Sequence, residues 1–294
     1  MSLHRLVAIV ALSLFIPTSS FHIQNEKPFR RVPTSQMITK TPTDLAFDTL
    51  MRFDLKRELL VAADEFKDLQ KDMFAAKAIE KSEKKRRDDE RLGGLFGASS
   101  LAAIEVDLGD KGQQVIDLAE RLSEFNPTSI PNYGWKGYGN GSPSECLLDG
   151  TWKLRFTTGK DATFAESPIR GKATTSQVVS ASDGTLINTV DFEKGKVTGF
   201  QVLVEGTATS NDEMNLFFKQ IIIRRKSRFP QVFGKITILL PSFKFLSAIA
   251  KFGSKGKSQS KGAGFQIRYI DNDMRMHKTR DGIWFIQTRI QNGN

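Results

Sequence analysis

Gly150-Thr151-Trp152-Lys153-Leu154-Arg155-Phe156-Thr157 sets apolar side chains at 152, 154 and 156 between polar ones at 153, 155 and 157. A period of two over this length is the mark of a strand with one face against a core. The pattern returns downstream: Phe200, Val202 and Val204 alternate with Gln201, Leu203 and Glu205, and Ile236, Ile238 and Leu240 and then Phe265, Ile267 and Tyr269 repeat it. Further strands are predicted at 174–179, 185–192, 214–225, 273–277 and 283–290. Turn residues separate most of these runs, namely Ser182-Asp183-Gly184, Glu193-Lys194-Gly195, Asp271-Asn272-Asp273 and Arg280-Asp281-Gly282. Connections this short join antiparallel neighbours. About eight or nine meandering strands are best satisfied by closing a barrel, which removes exposed edges.

Upstream of Asp149 the period is helical. Leu59, Ala63, Phe66, Leu69, Met73 and Ala76 recur at spacings of three and four. The stretch ends in a mixed-charge run, Lys81 to Arg91, that reads as a solvated helix end. Gly93-Gly94 and Gly97 to Ser100 punctuate it as a linker. A second, short helix is predicted from Val115, Leu118, Ala119 and Leu122, stopped by Asn126-Pro127. Tyr133 to Pro143 reads as a Gly, Asn, Ser and Pro loop.

The N-terminus has the composition of an address. His4 and Arg5 precede the apolar run Leu6 to Ile16, which is shorter than the ~20 residues a bilayer span requires, and Thr18 and Ser20 supply small residues for cleavage. Residues 21–43 are basic (Lys27, Arg30, Arg31, Lys40), carry the single acid Glu26, and are rich in Ser, Thr and Pro. A signal peptide over 1–20 joined to such a segment, with Phe21 at the junction, resembles the bipartite plastid presequence of algae with secondary plastids. Secretion with a disordered tail is the other reading. The expected organisation is therefore signal peptide 1–20, transit-like segment 21–43, helical segment 44–92, linker 93–103 and a β domain over 104–290.

The family resemblance rests on two stretches. Leu147-Leu148-Asp149-Gly150-Thr151-Trp152-Lys153-Leu154-Arg155-Phe156-Thr157-Thr158 is similar to the opening strand of the plastid lipid-associated protein (fibrillin) family, and Val115 to Pro127 resembles the short helix that precedes it there. Gly264 to Arg289 resembles the closing signature through Ile267, Tyr269, Ile270, Asp271, Asp273, Met274, Arg275, Gly282, Trp284, Phe285, Ile286 and Arg289. Lys278 and the methionines at 274 and 276 depart from the family pattern, and the helical stretch before Gly93 has no counterpart. The resemblance implies a lipocalin-like antiparallel barrel, mainly β with N-terminal helices. It also implies non-enzymatic binding of quinones, carotenoids, tocopherols or acyl lipids at plastoglobules or thylakoids.

On that reading Phe156, Phe200, Val202, Phe218, Ile238, Phe265 and Tyr269 are candidate linings of a ligand pocket. Gly150 and Trp152 on the first strand should meet Arg289 on the last where the barrel closes, with the arginine stacked on the indole.

Composition narrows the chemistry. Phe is abundant at 22 against three Tyr and three Trp, which suits an apolar lining as well as an ordinary core. Cys146 is the only cysteine, so there is no intramolecular disulfide and no cysteine metal cluster. His277 is the only histidine outside the N-terminal address, and a lone imidazole among Met and Lys reads as structural rather than as the base of a triad. Asp271 and Asp273 sit where a hairpin turn wants them. No cofactor, metal or catalytic residue is expected. A lipid-metabolising enzyme on a lipocalin-like scaffold is the alternative; it would need a polar cluster inside the barrel, and none is legible in the strand pattern.

Charge is uneven. Residues 214–270 hold twelve Lys or Arg and no Asp or Glu, against a net charge of +10 for the whole chain. Such a segment attracts anionic lipid surfaces or nucleic acid. Within it, Phe243, Leu246, Ile249 and Phe252 fall on one face of a short helix flanked by Lys244, Lys251, Lys255 and Lys257. This pattern suits an interfacial helix on an anionic plastid lipid surface, and a lid over the barrel mouth is the other reading. Nucleic acid is not the expected partner, because single-strand binders pair charge with stacking aromatics on a sheet.

Overall fold

The computed structural model describes residues 41–90, 98–159, 171–228, 234–240 and 263–291. The address segments 1–20 and most of 21–43 lie outside these residues. So do all eight of the lipid-surface candidates: Phe243, Lys244, Leu246, Ile249, Lys251, Phe252, Lys255 and Lys257.

Two helices precede the sheet: α1, Pro42–Glu90, and α2, Ala98–Glu124. A reciprocal cap starts α1, with Asp44 Oδ2 accepting from the Thr41 backbone N–H at 3.0 Å and Thr41 Oγ1 accepting from the Asp44 N–H at 3.2 Å; Pro42 stands at the first helical position, where its missing N–H costs nothing. The second helix is longer than the sequence predicts. It begins at Ala98, inside the stretch read as linker, because Ala98, Ala102 and Ala103 favour helix enough to carry it back toward the glycines. It ends before Asn126-Pro127, where the Asn126 side chain bonds the Thr128 backbone.

Nine strands follow: β1 Gly150–Thr157, β2 Ala173–Ser180, β3 Thr185–Phe192, β4 Val197–Ala208, β5 Glu213–Arg225, β6 Lys235–Leu239, β7 Gly264–Ile270, β8 Met274–Thr279 and β9 Trp284–Arg289. All pair antiparallel in one sheet that closes on itself. Around the ring the order is β1-β2-β3-β4-β5-β7-β8-β9, and β9 returns to β1 through pairs that include Trp152 with Arg289. One edge of β5 is shared: Glu213, Met214 and Asn215 pair with β7, while Gln220 to Arg224 pair with β6.

Both faces of this sheet are used. The interior holds Trp152, Leu186, Val202, Val204, Ile221 and Phe265 with their neighbours. A second core forms outside the barrel, where Leu59, Ala63, Val115 and Leu122 of the helices cover Phe156, Tyr269, Met274, Met276, Trp284 and Ile286. Phe66 meets Phe156 edge to face at 4.9 Å, and Asp64 accepts from Arg155 at 2.7 Å.

The segment read as a polar loop closes one end of the barrel. It contains two 3-10 turns, Trp135–Asn140 and Pro143–Glu145. Trp135, Cys146 and Leu148 join the interior core. The Trp135 indole donates to the Gly206 carbonyl at 3.2 Å, and a Cβ at Gly206 would lie 2.9 Å from the ring. Asn132 donates to the Ser210 and Glu213 carbonyls. The C-terminal ends of β1 and β5 lie at the opposite end.

Candidate ligand-binding interior

Closure of the barrel is built from backbone acceptors around one arginine. Arg289 donates through Nε to the Asn272 carbonyl and through Nη2 to the Leu147 carbonyl, each at 2.6 Å, and through Nη1 to the Asp149 carbonyl. Its guanidinium lies over the Trp152 ring at 4.3 Å. Gly150 has a φ of 117°, and a Cβ there would fall 2.5 Å from Arg289 Nη1, so both conformation and space require glycine.

The pocket candidates divide. Phe200, Val202 and Phe265 are buried in the interior, with Phe218 and Ile238 packed partly buried against them. Phe156 and Tyr269 are not in the interior: both belong to the outer core under the helices. The cause is local. Between Leu154 and Phe156 on β1, and between Ile267 and Tyr269 on β7, the register shifts by one residue against the neighbouring strand. An extra residue reverses the alternation, so the side chain beyond it points to the other face. Outside the barrel, Tyr269 donates to Asp271 Oδ2 at 2.6 Å, and Lys56 pairs with the same carboxylate at 2.8 Å. Asp271 also accepts the Asp273 and Met274 backbone N–H groups through Oδ1, as a turn residue does. Burial works against its charge, but the bonds from Lys56, Tyr269 and these two N–H groups outweigh it and hold the carboxyl below its ordinary pKa.

The interior also contains a polar belt that strand alternation does not announce. Arg275 on β8 is fully buried, and its Nε donates to Gln287 Oε1 at 2.9 Å. Its Nη2 donates to both Gln287 Oε1 and Gln177 Oε1. Gln177 in turn donates to Asn188 Oδ1 at 2.5 Å. Register explains the grouping, since Arg275 faces Gln287, Trp152 faces Gln177 and Gln177 faces Asn188 across adjacent strands. The row then continues as Val202 and Ile221, so the belt is polar on one side and apolar on the other. Arg275 lies 5.0 Å from the Trp152 ring centroid. Burial, helped by the charge of Arg289, pushes its pKa down to about 9, which leaves it a cation at neutral pH.

His277, two residues along β8, is held between Phe265 at 4.5 Å and Phe285 at 4.9 Å. Burial and then the charge of Arg275 push its pKa well below the ordinary value, so the imidazole is neutral. Cys146 is also buried, and burial raises its thiol pKa. Guanidinium and amides position and recognise; they offer no nucleophile. Among the described residues no group of His, Cys, Asp or Glu could hold a metal ion, and no helix is long and apolar enough to cross a membrane.

The belt escaped the sequence reading because β8 and β9 are buried on both faces over their first four residues. With helices outside and core inside, Met274-Arg275-Met276-His277 shows no polar face to contrast with an apolar one. The available signal was an arginine flanked by methionines on a strand too apolar to be an edge.

A closed antiparallel barrel with one end plugged, an interior mainly apolar with a single polar side, and helices packed outside defines the lipocalin-like class of β-barrel. Within that class the chain belongs to the PAP_fibrillin family, the plastid lipid-associated proteins, whose profile matches residues 107–288. The match begins inside α2, so α1 lies outside it. No curated protein and no solved structure matches the chain.

Proposed function

We propose that the protein binds lipids or lipophilic metabolites in its barrel, as a carrier or store rather than as an enzyme, at plastoglobules or thylakoids of a plastid. The observation that carries this reading is the pairing of family membership with an interior lined by Phe200, Val202, Ile221, Ile223 and Phe265. Eight-stranded rings of this kind are wide enough to hold one small ligand. The address-like composition of residues 1–43 supports delivery to a plastid. A polar cluster is present in the barrel, as an enzyme would require, but its members are Arg, Gln and Asn beside a neutral imidazole, which suits recognition rather than acid–base work.

Protein isolated from its own plastids tests the reading. Native mass spectrometry and solvent extraction are expected to recover a lipophilic molecule in stoichiometric amount. Recovery of bare protein, together with failure of the purified chain to take up any acyl lipid, quinone or carotenoid, would overturn it.

A further inference from the structure

Arg275 is a buried cation without a buried anion. It makes no ion pair among the described residues, and its bonded acceptors are the neutral amide oxygens of Gln287 and Gln177. Taking a guanidinium out of water costs several kcal/mol unless opposite charge and full hydrogen bonding offset it. Here the offset is incomplete, because Nη1 has no acceptor among the described residues. The neighbouring amide repeats the pattern. Asn188 receives from Gln177 through Oδ1, and its Nδ2, also buried, has no acceptor among the described residues.

The direction of each bond fixes the character of the site. Both glutamine oxygens turn toward Arg275, so Gln177 presents its amine to Asn188, and Asn188 presents its own amine onward. The open ends at Arg275 and Asn188 are therefore both donors, on a network carrying one positive charge. Such an arrangement is complementary to an acceptor-only group of one negative charge. A carboxylate oxygen can accept from Nη1, the one guanidinium nitrogen not already engaged, and one cation matches a monoanion rather than a phosphate dianion. Val202 and Ile221 continue the same inner row, with Phe200 beside them on β4, which gives an apolar wall next to the donors.

We propose that Arg275 and Asn188 form a carboxylate-binding site inside the barrel, taking the head group of a single-chain lipid acid whose hydrocarbon tail lies against Val202, Ile221 and Phe200. The proposal rests on the lipid-binding reading and narrows it to an acidic amphiphile. Gln177 and Gln287 are positioning residues, orienting the guanidinium and the Asn188 amide without touching the ligand.

The test compares oleate with its methyl ester, which keeps the chain and removes the charge. Delipidated full-length protein is expected to bind oleate about tenfold or more tightly over methyl oleate, the equivalent of at least one charge-assisted hydrogen bond. Arg275→Met is expected to lose that preference while still binding the ester. The carboxyl carbon of ¹³C-labelled oleate, followed by NMR, should report an ionised group in the wild-type complex that resists protonation as pH falls. Equal binding of acid and ester by the wild type, or a preference that survives in Arg275→Met, overturns the proposal while leaving the barrel a lipid binder. Binding of neither ligand overturns the proposal, and the lipid-binding reading then stands or falls on quinone and carotenoid uptake and on what the protein carries from its own plastids. Should Arg275→Met fail to fold, Asn188→Leu decides: a several-fold loss for oleate with unchanged ester binding supports the site, and unchanged oleate binding removes it.

Discussion

Two side chains show how burial decides what a residue does here. Trp152 is fully buried, donates its indole N–H to the Leu148 carbonyl at 2.8 Å and lies beneath both Arg275 and Arg289. Its contacts reach the first strand, the last strand and the plug, so its loss should act on the fold before it acts on any ligand. Trp152→Ala is expected to destabilise by about 3 to 5 kcal/mol in urea unfolding, with Trp135 and Trp284 remaining as fluorescent reporters. A loss within about 0.5 kcal/mol, the range of surface substitutions, would show that closure does not depend on it. His277 gives a pH dependence. The unfolded chain protonates this imidazole near pH ~6.5, whereas the folded chain holds it neutral, with its pKa pushed well down. The folded state therefore binds fewer protons below that pH, and stability rises with pH there. The contribution is complete above about pH 6.5 and is lost as pH falls toward the folded-state pKa, at up to about 1.4 kcal/mol per pH unit. His277→Phe, seated between Phe265 and Phe285, is expected to flatten this slope when unfolding free energies are compared from pH ~7 to ~5.5. An unchanged slope would mean that the imidazole is not held neutral.

At the scale of elements, the helices complete the barrel's outer wall. Leu59 and Ala63 of α1 are fully buried beside Val115 and Leu122 of α2, over a sheet face that carries Met274, Met276 and Ile286. Leu59→Ala is expected to cost about 2 to 5 kcal/mol, while Val61→Ala, on the exposed face of the same helix, should stay within about 0.5 kcal/mol. Equal effects of the two, measured by urea unfolding, would mean that α1 is not docked through this face. These elements also show what sequence pattern resolves. The strands with one wet face are legible from alternation and turn chemistry: β3 falls where it is predicted, and β4 runs three residues past the alternating 200–205 at each end. Where helices cover the outside, alternation carries no information, and the inward positions of Arg275 and Gln287 cannot be told from the outward positions of Met276 and Ile286. The single-residue shifts that send Phe156 and Tyr269 outward leave no mark in the local pattern either, because Arg155 and Arg268, polar between apolar neighbours, keep the apparent alternation unbroken.

Along the whole chain, positive charge and apolar residues are gathered in one segment of the sequence. Residues 214–270 contain twelve cations and no acid, so the rest of the chain is slightly acidic on balance. The stretch 241–262, rich in Phe and Lys, is joined to the wall at two nearby points on the same edge of β5: the Leu240 N–H donates to the Lys219 carbonyl at 2.8 Å, and the Leu216 N–H donates to the Ala263 carbonyl at 2.9 Å. Beside these points Phe217 and Leu239 stand 46% and 74% exposed. An apolar and basic insertion rooted beside exposed apolar side chains suits contact with an anionic lipid surface, and the same sequence suits a lid held against the barrel. Salt separates the two. Each lysine near an anionic bilayer contributes about 1 kcal/mol, screened within a Debye length of about 8 Å at physiological ionic strength, whereas a packed lid gains nothing from lipid charge. Replacement of Lys251, Lys255 and Lys257 by Gln is therefore expected to weaken binding to vesicles containing anionic plastid lipid several-fold at low salt. The difference from wild type should shrink as salt is raised, and binding to vesicles of neutral galactolipid should change little. Thermal stability should stay the same, because Gln is only one chain atom shorter than Lys and keeps a polar end, so the substitutions chiefly remove charge. Vesicle binding by the triple variant equal to that of the wild type at low salt would assign the segment to the lid.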